Sequence, residues 1–142
     1  MNSTYRICLA LLCVLIVTGC MSREQADAKL AKACEAAVNV FLVDGQRIDK
    51  VNNATFSGSP VGPDFRHVTI HTAMIDGWLE AEYDYDCTFQ EGFGFLNSGY
   101  TASIYNVNVD GRIIGKSGSE ILGEAEDHMK LNEAVRAALY EN

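Results

Sequence analysis

Cysteine is the residue type in this 142-residue chain with the widest choice of chemistry, and there are five cysteines. A thiol can be acylated, can bind a metal or can form a disulfide, and its surroundings decide which. Cys8 and Cys13 lie within an uncharged stretch near the start, and Cys20 follows that stretch. Cys34 and Cys87 lie much further along the chain. The five thiols therefore fall into groups with different chemistry.

The first twenty residues have the pattern of a secretory signal peptide. Arg6 provides a positive charge, an uncharged apolar run extends from Ile7 to Val17, and small residues precede Cys20. A charged start, an apolar run of about 7–15 residues and small residues at the cleavage site are typical of such a peptide. A transmembrane helix needs ~20 apolar residues, so this run is too short to be one. We interpret residues 1–19 as a signal peptide that is removed.

The last four of these residues, Val17, Thr18, Gly19 and Cys20, resemble the lipobox of bacterial lipoprotein signals. That motif has an aliphatic residue, a small residue, Gly or Ala, and then cysteine. The resemblance implies cleavage before Cys20, a diacylglyceryl thioether on its sulfur, and often a third acyl chain on the new amine. Two or three acyl chains hold a protein stably on a membrane. Met21 is not the aspartate of an inner-membrane retention signal, so the resemblance favours an outer-membrane location facing the periplasm.

Cys34 and Cys87 are the two cysteines that remain in an exported domain once the signal peptide is removed and Cys20 is acylated. Disulfides persist in exported proteins, and two cysteines allow one pairing. A zinc site would need further ligands at metal-site spacing, and none lies nearby in the sequence. We therefore predict a Cys34–Cys87 disulfide, and neither a metal nor another cofactor.

The elements that position these cysteines begin with a helix. Ser22–Gln25 has the pattern of a capping box, and apolar residues then recur at helical spacing. These apolar residues are Ala26, Leu30, Cys34, Ala37, Val38, Phe41 and Leu42. Asp44-Gly45 ends the predicted helix. Residues 46–65 contain Gly, Pro and Asn, so we expect an irregular connection with at most a short strand around Val51–Phe56.

A β-hairpin gives the strongest secondary-structure signal in the chain. Two predicted strands, Arg66–Ile75 and Trp78–Phe89, flank Asp76-Gly77, a dipeptide typical of two-residue turns. Strand periodicity puts Cys87 on the apolar face of this hairpin, and helical periodicity puts Cys34 on the apolar stripe of the helix. Both cysteines therefore point into one core, and the predicted disulfide joins helix to sheet.

The same turn predicts which side chains face one another across the hairpin. If Asp76 and Gly77 are the central residues of the turn, the numbers of opposed residues add up to 153. His67 then opposes Asp86, and His71 opposes Glu82. A catalytic pair would also need a nucleophile or electrophile in a cleft. We therefore interpret these contacts as cross-strand pairs that stabilise the sheet.

The rest of the chain completes an α+β fold. A third strand is predicted from about Tyr100 to Val109, and Asp110-Gly111 leads into a short strand, Arg112–Ile114. The chain looks helical from Ser119 onward. We predict one domain over residues 20–142: an N-terminal helix, an antiparallel meander of three to four strands, a C-terminal helix, and one helix-to-sheet disulfide.

An acidic ladder on the second strand of the hairpin is the first candidate binding surface. Glu80, Glu82, Asp84 and Asp86 alternate along one face, with Trp78 at the end. They could dock a basic partner or bind a divalent cation weakly, or they could simply be the polar side of a half-exposed strand. The Gly and backbone ligands of calcium loops are missing.

An apolar bend, Phe93–Leu96, is the second candidate. Phe93 and Phe95 would contact a protein or a membrane if the bend is exposed. If the bend is buried, they close the core.

Charge and motifs restrict the function. The signal peptide holds one basic residue and no acidic one, so the net charge of −8 becomes −9 for residues 20–142. That charge argues against binding to nucleic acid and against a polybasic contact with anionic lipid. It permits binding to a basic protein. No Gly-x-Ser-x-Gly motif occurs, and Gly92-x-Gly94 precedes no predicted helix. We therefore expect that the protein is not an enzyme and has no catalytic residue. We expect it to be a binding or accessory protein of the cell envelope.

The alternative is a periplasmic inhibitor of a basic enzyme. Lysozyme-inhibitor lipoproteins are similar in having a lipobox, an acidic surface and a disulfide, and Tyr85-Asp86-Cys87 resembles their Tyr-x-Cys motif. They are all-β barrels, however, whereas this chain is predicted to begin and end in helices. A structural spacer remains a further possibility.

Overall fold

The computed structural model of the chain describes residues 21–95 and 99–141. The predicted signal peptide, Cys20 and Leu96 lie outside the described residues. Within them the chain forms two helices and six strands, in the order α1 (Arg23–Asn39), β1 (Gln46–Ser59), β2 (Gly62–Asp76), β3 (Leu79–Gly92), β4 (Thr101–Val109), β5 (Arg112–Ser117), β6 (Glu120–Leu122) and α2 (Ala125–Tyr140).

The six strands form one antiparallel sheet in which every strand lies beside its neighbours in sequence. The predicted α+β class, the terminal helices and the meander are therefore confirmed, but the predicted number of three to four strands is wrong. The two extra strands are β1, within the segment we expected to be irregular, and the three-residue β6, in a stretch that we wrongly expected to be helical.

Two β-bulges explain why β1 was missed. Its partly buried side chains, Ile48, Val51, Ala54 and Phe56, pack against the core, but their spacing is not the regular two-residue period of a strand. Register shifts between Ile48 and Lys50 and between Val51 and Asn53 insert an extra residue at each place. Each bulge restores the inward direction of the next apolar residue, so the strand is continuous although its sequence pattern is not.

Helix α1 begins with the predicted capping box. The Ser22 hydroxyl accepts a hydrogen bond from the Gln25 backbone N–H, and the Gln25 side chain accepts one from the Ser22 N–H. The helix ends at Asn39 rather than at Asp44-Gly45. Both helices pack on the same side of the sheet, so the core is a single layer between them and the sheet.

The predicted disulfide is present. Cys34 on α1 and Cys87 on β3 are fully buried, and a bond of 2.00 Å joins their sulfur atoms. The disulfide therefore links the first helix covalently to the third strand.

The hairpin of β2 and β3 has a register two residues away from the predicted one. Asp76 pairs with Leu79, so Gly77 and Trp78 are the central residues of the turn. Gly77 has φ +63°, and a positive φ at the first central position alone is what a type II′ turn requires. A shift of two residues leaves every side chain on its predicted face, but changes its partner across the strands.

Candidate binding surface

The side of the sheet that faces away from the helices is mainly polar on its first three strands. Alternate residues of β1, β2 and β3 point there, because their neighbours point into the core. They include Asn53, Thr55, Ser57, His67, Thr69, His71, Asp84, Asp86 and Thr88. No helix or strand of residues 21–95 and 99–141 covers this face.

Asp84 and Asp86, the two ladder residues farther from the hairpin turn, contact side chains of β2. Asp84 lies 2.6 Å from Nδ1 of His71, and Asp86 accepts a hydrogen bond of 2.6 Å from the Thr69 hydroxyl. Nε2 of His67 lies 3.3 Å from the same Asp86 oxygen. The predicted pair of His67 and Asp86 is thus in contact, although these residues are not directly opposed. The predicted pair of His71 and Glu82 is wrong, because the two-residue shift brings Asp84 opposite His71.

This polar group does not form the relay of an acyl-transfer enzyme. In such a relay the imidazole lies between the hydroxyl nucleophile and the carboxylate. Here the carboxylate of Asp86 lies between the Thr69 hydroxyl and the His67 imidazole. The contacts among Thr69, Asp86 and His67 therefore stabilise the pairing of β2 with β3.

Glu80 and Glu82, the two ladder residues closer to the turn, have basic residues in the same rows of the sheet. Glu80 and Glu82 are exposed, and in the sheet they share cross-strand rows with Arg47 and Lys50 of β1. One β2 residue separates the members of each row. Strand β1 therefore contributes positive charge that the sequence pattern of β3 alone did not reveal.

The tip of the hairpin carries a large exposed aromatic side chain. Trp78 is 90% exposed and Leu79 is 56% exposed. The turn is braced by the start of β1 and the residue before it. The Gly77 N–H donates to the Gly45 carbonyl at 3.0 Å, and the Gln46 side-chain amide donates to Asp76 at 3.0 Å. The sequence placed Trp78 at the end of the ladder, but only its position in the turn explains this exposure.

The described part of the predicted apolar bend, Phe93–Phe95, follows β3 at the end of the sheet near the start of α1. Phe95 is 85% exposed, and Phe93 is 36% exposed. The Phe93 ring packs against Tyr100, with 5.0 Å between the ring centroids, and the Arg23 guanidinium lies over it, 5.2 Å from its centroid. The bend is therefore held at Phe93, and the side chain of Phe95 is largely exposed.

A network of charged and polar groups holds the bend in place. Arg23 donates two hydrogen bonds to Glu91, of 2.6 and 2.9 Å, and the Tyr100 hydroxyl donates one of 3.1 Å to the same carboxylate. Burial, and next the Glu91 charge, raise the pKa of the Tyr100 hydroxyl. Tyr100 therefore remains a neutral hydrogen-bond donor, and the sequence contained no signal for this long-range network.

A groove of about 610 Å³ runs between α1 and the edge strand β1. Two of its charged lining residues are paired, since Asp27 lies 2.6 Å from Arg23 and also 2.7 Å from Arg66 beside the groove. The rest of the lining is mainly apolar and comprises Glu24, Ala28, Ala31, Ala54 and Phe56. The groove thus offers a third apolar surface, separate from the hairpin tip and from the apolar bend.

Two further properties concern the described part of the chain. No group of three or more His, Cys, Asp or Glu side chains in residues 21–95 and 99–141 is arranged to hold a metal ion. No helix in those residues is both long and apolar enough to cross a membrane.

Comparison with known proteins adds no relative. No family model matches the chain, and neither a curated protein nor a solved structure matches it at a significant level.

Proposed function

We propose that the protein is a lipid-anchored binding protein of the bacterial cell envelope, attached through Cys20, that engages its partner with the hairpin tip around Trp78. On this proposal it acts without catalysis, as an accessory protein, and the favoured location is the outer membrane facing the periplasm. The observation that carries the binding role is the almost complete exposure of Trp78 on a braced turn.

The exposed indole supports binding for energetic reasons. Burying a large aromatic side chain in a partner gives one of the larger favourable contributions known in interfaces. The turn that carries Trp78 is held by the Gly77–Gly45 hydrogen bond, so little conformational entropy is lost when the tip docks. Tryptophan is also strongly enriched among residues that dominate binding energy.

The charges around the tip suggest the kind of partner. Asp76 and Glu80 lie next to the turn and are exposed, and the domain carries a net negative charge. A partner with an apolar pocket and a basic rim would complement both features. An inhibitor of a basic enzyme is the alternative that this charge favours, although two helices and an open sheet differ from the all-β barrels of lysozyme inhibitors.

Capture from envelope extract tests the binding role. Tagged protein, its Trp78→Ala variant and its Ile121→Ala variant are compared, because Ile121 is also a highly exposed apolar residue (69%) but lies on β6. Loss of Trp78 should lower affinity roughly 30-fold or more, as expected for a residue that dominates an interface. Ile121→Ala should bind as the unchanged protein does.

The captured proteins also decide between the two roles. A single basic enzyme that loses activity on binding would support the inhibitor, and an envelope assembly would support the accessory role. If all three proteins capture the same partners equally, the tip is not the binding site. If none captures anything, a spacer role is favoured instead.

A further inference from the structure

The end of the molecule that contains the start of α1 combines a charged pair with exposed apolar side chains. The described chain begins at Met21, directly after Cys20. Within the first turn of α1, Arg23 binds Glu91 at 2.6 Å and covers the Phe93 ring. These contacts fix the apolar bend within one side-chain length of the start of the helix.

Exposed apolar side chains collect at this end. Besides Phe95 and Phe93, Val61 in the turn between β1 and β2 is 46% exposed. Phe65 pairs with Gln90, so continuation of the same antiparallel register brings Gly62 level with Phe93. Val61 therefore lies at the same end of the sheet as the bend and the start of α1.

Trp78 lies at the opposite end of the molecule. Strand β2 runs from the Val61 turn to the Trp78 turn and has 15 residues. At ~3.3 Å per residue such a strand spans roughly 45 Å. The Trp78 tip and the end that carries Phe93, Phe95 and Val61 are therefore separated by the whole length of the sheet.

We infer that the end carrying Phe95, Phe93 and Val61 rests on the lipid surface and that the Trp78 tip points away from it. This inference rests on the proposed acylation of Cys20. One residue, Met21, separates Cys20 from the helix cap Ser22, and a residue spans at most ~3.6 Å. An acyl group on Cys20 would therefore hold this end against the bilayer.

The chemistry of this end suits a lipid interface. Aromatic and aliphatic side chains partition into the boundary between headgroups and acyl chains. Arg23 and Glu91 neutralise each other in a paired contact, which reduces the unfavourable free energy of bringing them near the bilayer. The net charge of the domain gives no attraction to anionic lipid, so the contact depends on the anchor and on these apolar side chains.

Tryptophan fluorescence tests the orientation, because Trp78 is the one tryptophan of the chain. Full-length protein is produced in a bacterium that acylates lipoproteins, purified from its membranes and placed in phosphatidylcholine vesicles whose acyl chains carry bromine. Three proteins are compared: the unchanged chain, Trp78→Phe with Phe95→Trp, and Trp78→Phe with Ile121→Trp. Bromine quenches only an indole that reaches the acyl chains. We expect strong quenching and a blue shift for the indole at position 95, and little change at positions 78 and 121.

The mass of each purified protein shows whether it is acylated. It therefore distinguishes a wrong orientation from a missing lipid anchor. Acylated protein whose indole at position 95 is not quenched would overturn the orientation but leave the anchor intact, and would mean that the bend contacts protein or solvent. Equal quenching at positions 95 and 78 would also overturn it. Protein without acyl chains would overturn the anchor, and the orientation with it.

Discussion

At the scale of single residues, Tyr85 illustrates how burial on the inner sheet face changes an ionisation. Its hydroxyl donates a hydrogen bond to Sδ of Met74 at 3.0 Å. Burial, and next the charge of Asp110, raise the pKa of Tyr85 to about 12. The neutral hydroxyl is therefore favoured in the folded protein, and the unfolded chain ionises first as the pH rises.

This difference predicts a pH dependence of stability. A raised folded pKa contributes stability that is fully present below the unfolded value of ~10 and is lost as the pH rises through the folded value. We expect the free energy of unfolding of the unchanged protein to fall relative to Tyr85→Phe between pH ~10 and ~12. Urea unfolding of both proteins across that range measures the difference. A constant difference would mean that Tyr85 ionises in the folded state as an ordinary tyrosine does.

Cys20 carries the other prediction at this scale. If it is the acylated residue, Cys20→Ser should abolish incorporation of a palmitate analogue and leave the signal peptide uncut by the lipoprotein peptidase. Cys8→Ser changes a cysteine inside the apolar run but leaves the lipobox intact, and should keep the label. Label retained in Cys20→Ser would contradict the lipoprotein proposal.

At the scale of elements, the turn between β2 and β3 shows what sequence patterns can and cannot determine. Alternation along both strands predicted correctly on which face of the sheet each residue lies, because a side-chain period of two fixes the face. It could not fix the partners, because centring the turn on Asp76-Gly77 or on Gly77-Trp78 preserves the faces equally. In the turn between β4 and β5, Asp110 and Gly111 both have positive φ, and there the simple dipeptide rule was right.

The glycine in the first of these turns gives a test. Gly77 has φ +63° with open space around its Cα, so alanine there would be strained by its backbone and not by a clash. Gly77→Ala should lower the free energy of unfolding by about 1–2 kcal/mol. Gly58→Ala is the matched control, because Gly58 also has open space but no left-handed φ. Equal effects in thermal or urea unfolding would disprove the assigned turn geometry.

The disulfide between α1 and β3 gives the second test at this scale. Its cysteines are separated by 53 residues, and closing a loop of that length in the unfolded chain is worth about 4 kcal/mol by loop entropy. Reduction of the protein should lower its free energy of unfolding by up to that amount, measured by urea unfolding with and without reductant. Alkylation of both cysteines in native, unreduced protein would show that the bond does not form.

At the scale of the whole molecule, the class of fold could be predicted from the sequence, but the number of strands in the sheet could not. The helices and the β2–β3 hairpin have regular periods, and these are local properties of the sequence. Strand β1 escaped detection because its bulges at Asp49 and Asn52 interrupt the period. The surroundings of the apolar bend could not be predicted either, because they depend on Arg23 meeting Glu91 across 68 residues.

The disulfide has a mechanical consequence for a molecule with these two ends. If lipid holds Cys20 while a partner pulls on Trp78, the covalent path between them runs through Cys34 and Cys87 and contains far fewer residues than the backbone path. At ~3.5 Å per residue, the path through the disulfide extends to roughly 80 Å, whereas the backbone alone would extend to roughly 200 Å. The Cys34–Cys87 bond would therefore limit the extension, and a partner bound at the tip would stay within a short distance of the membrane even if the sheet were pulled apart.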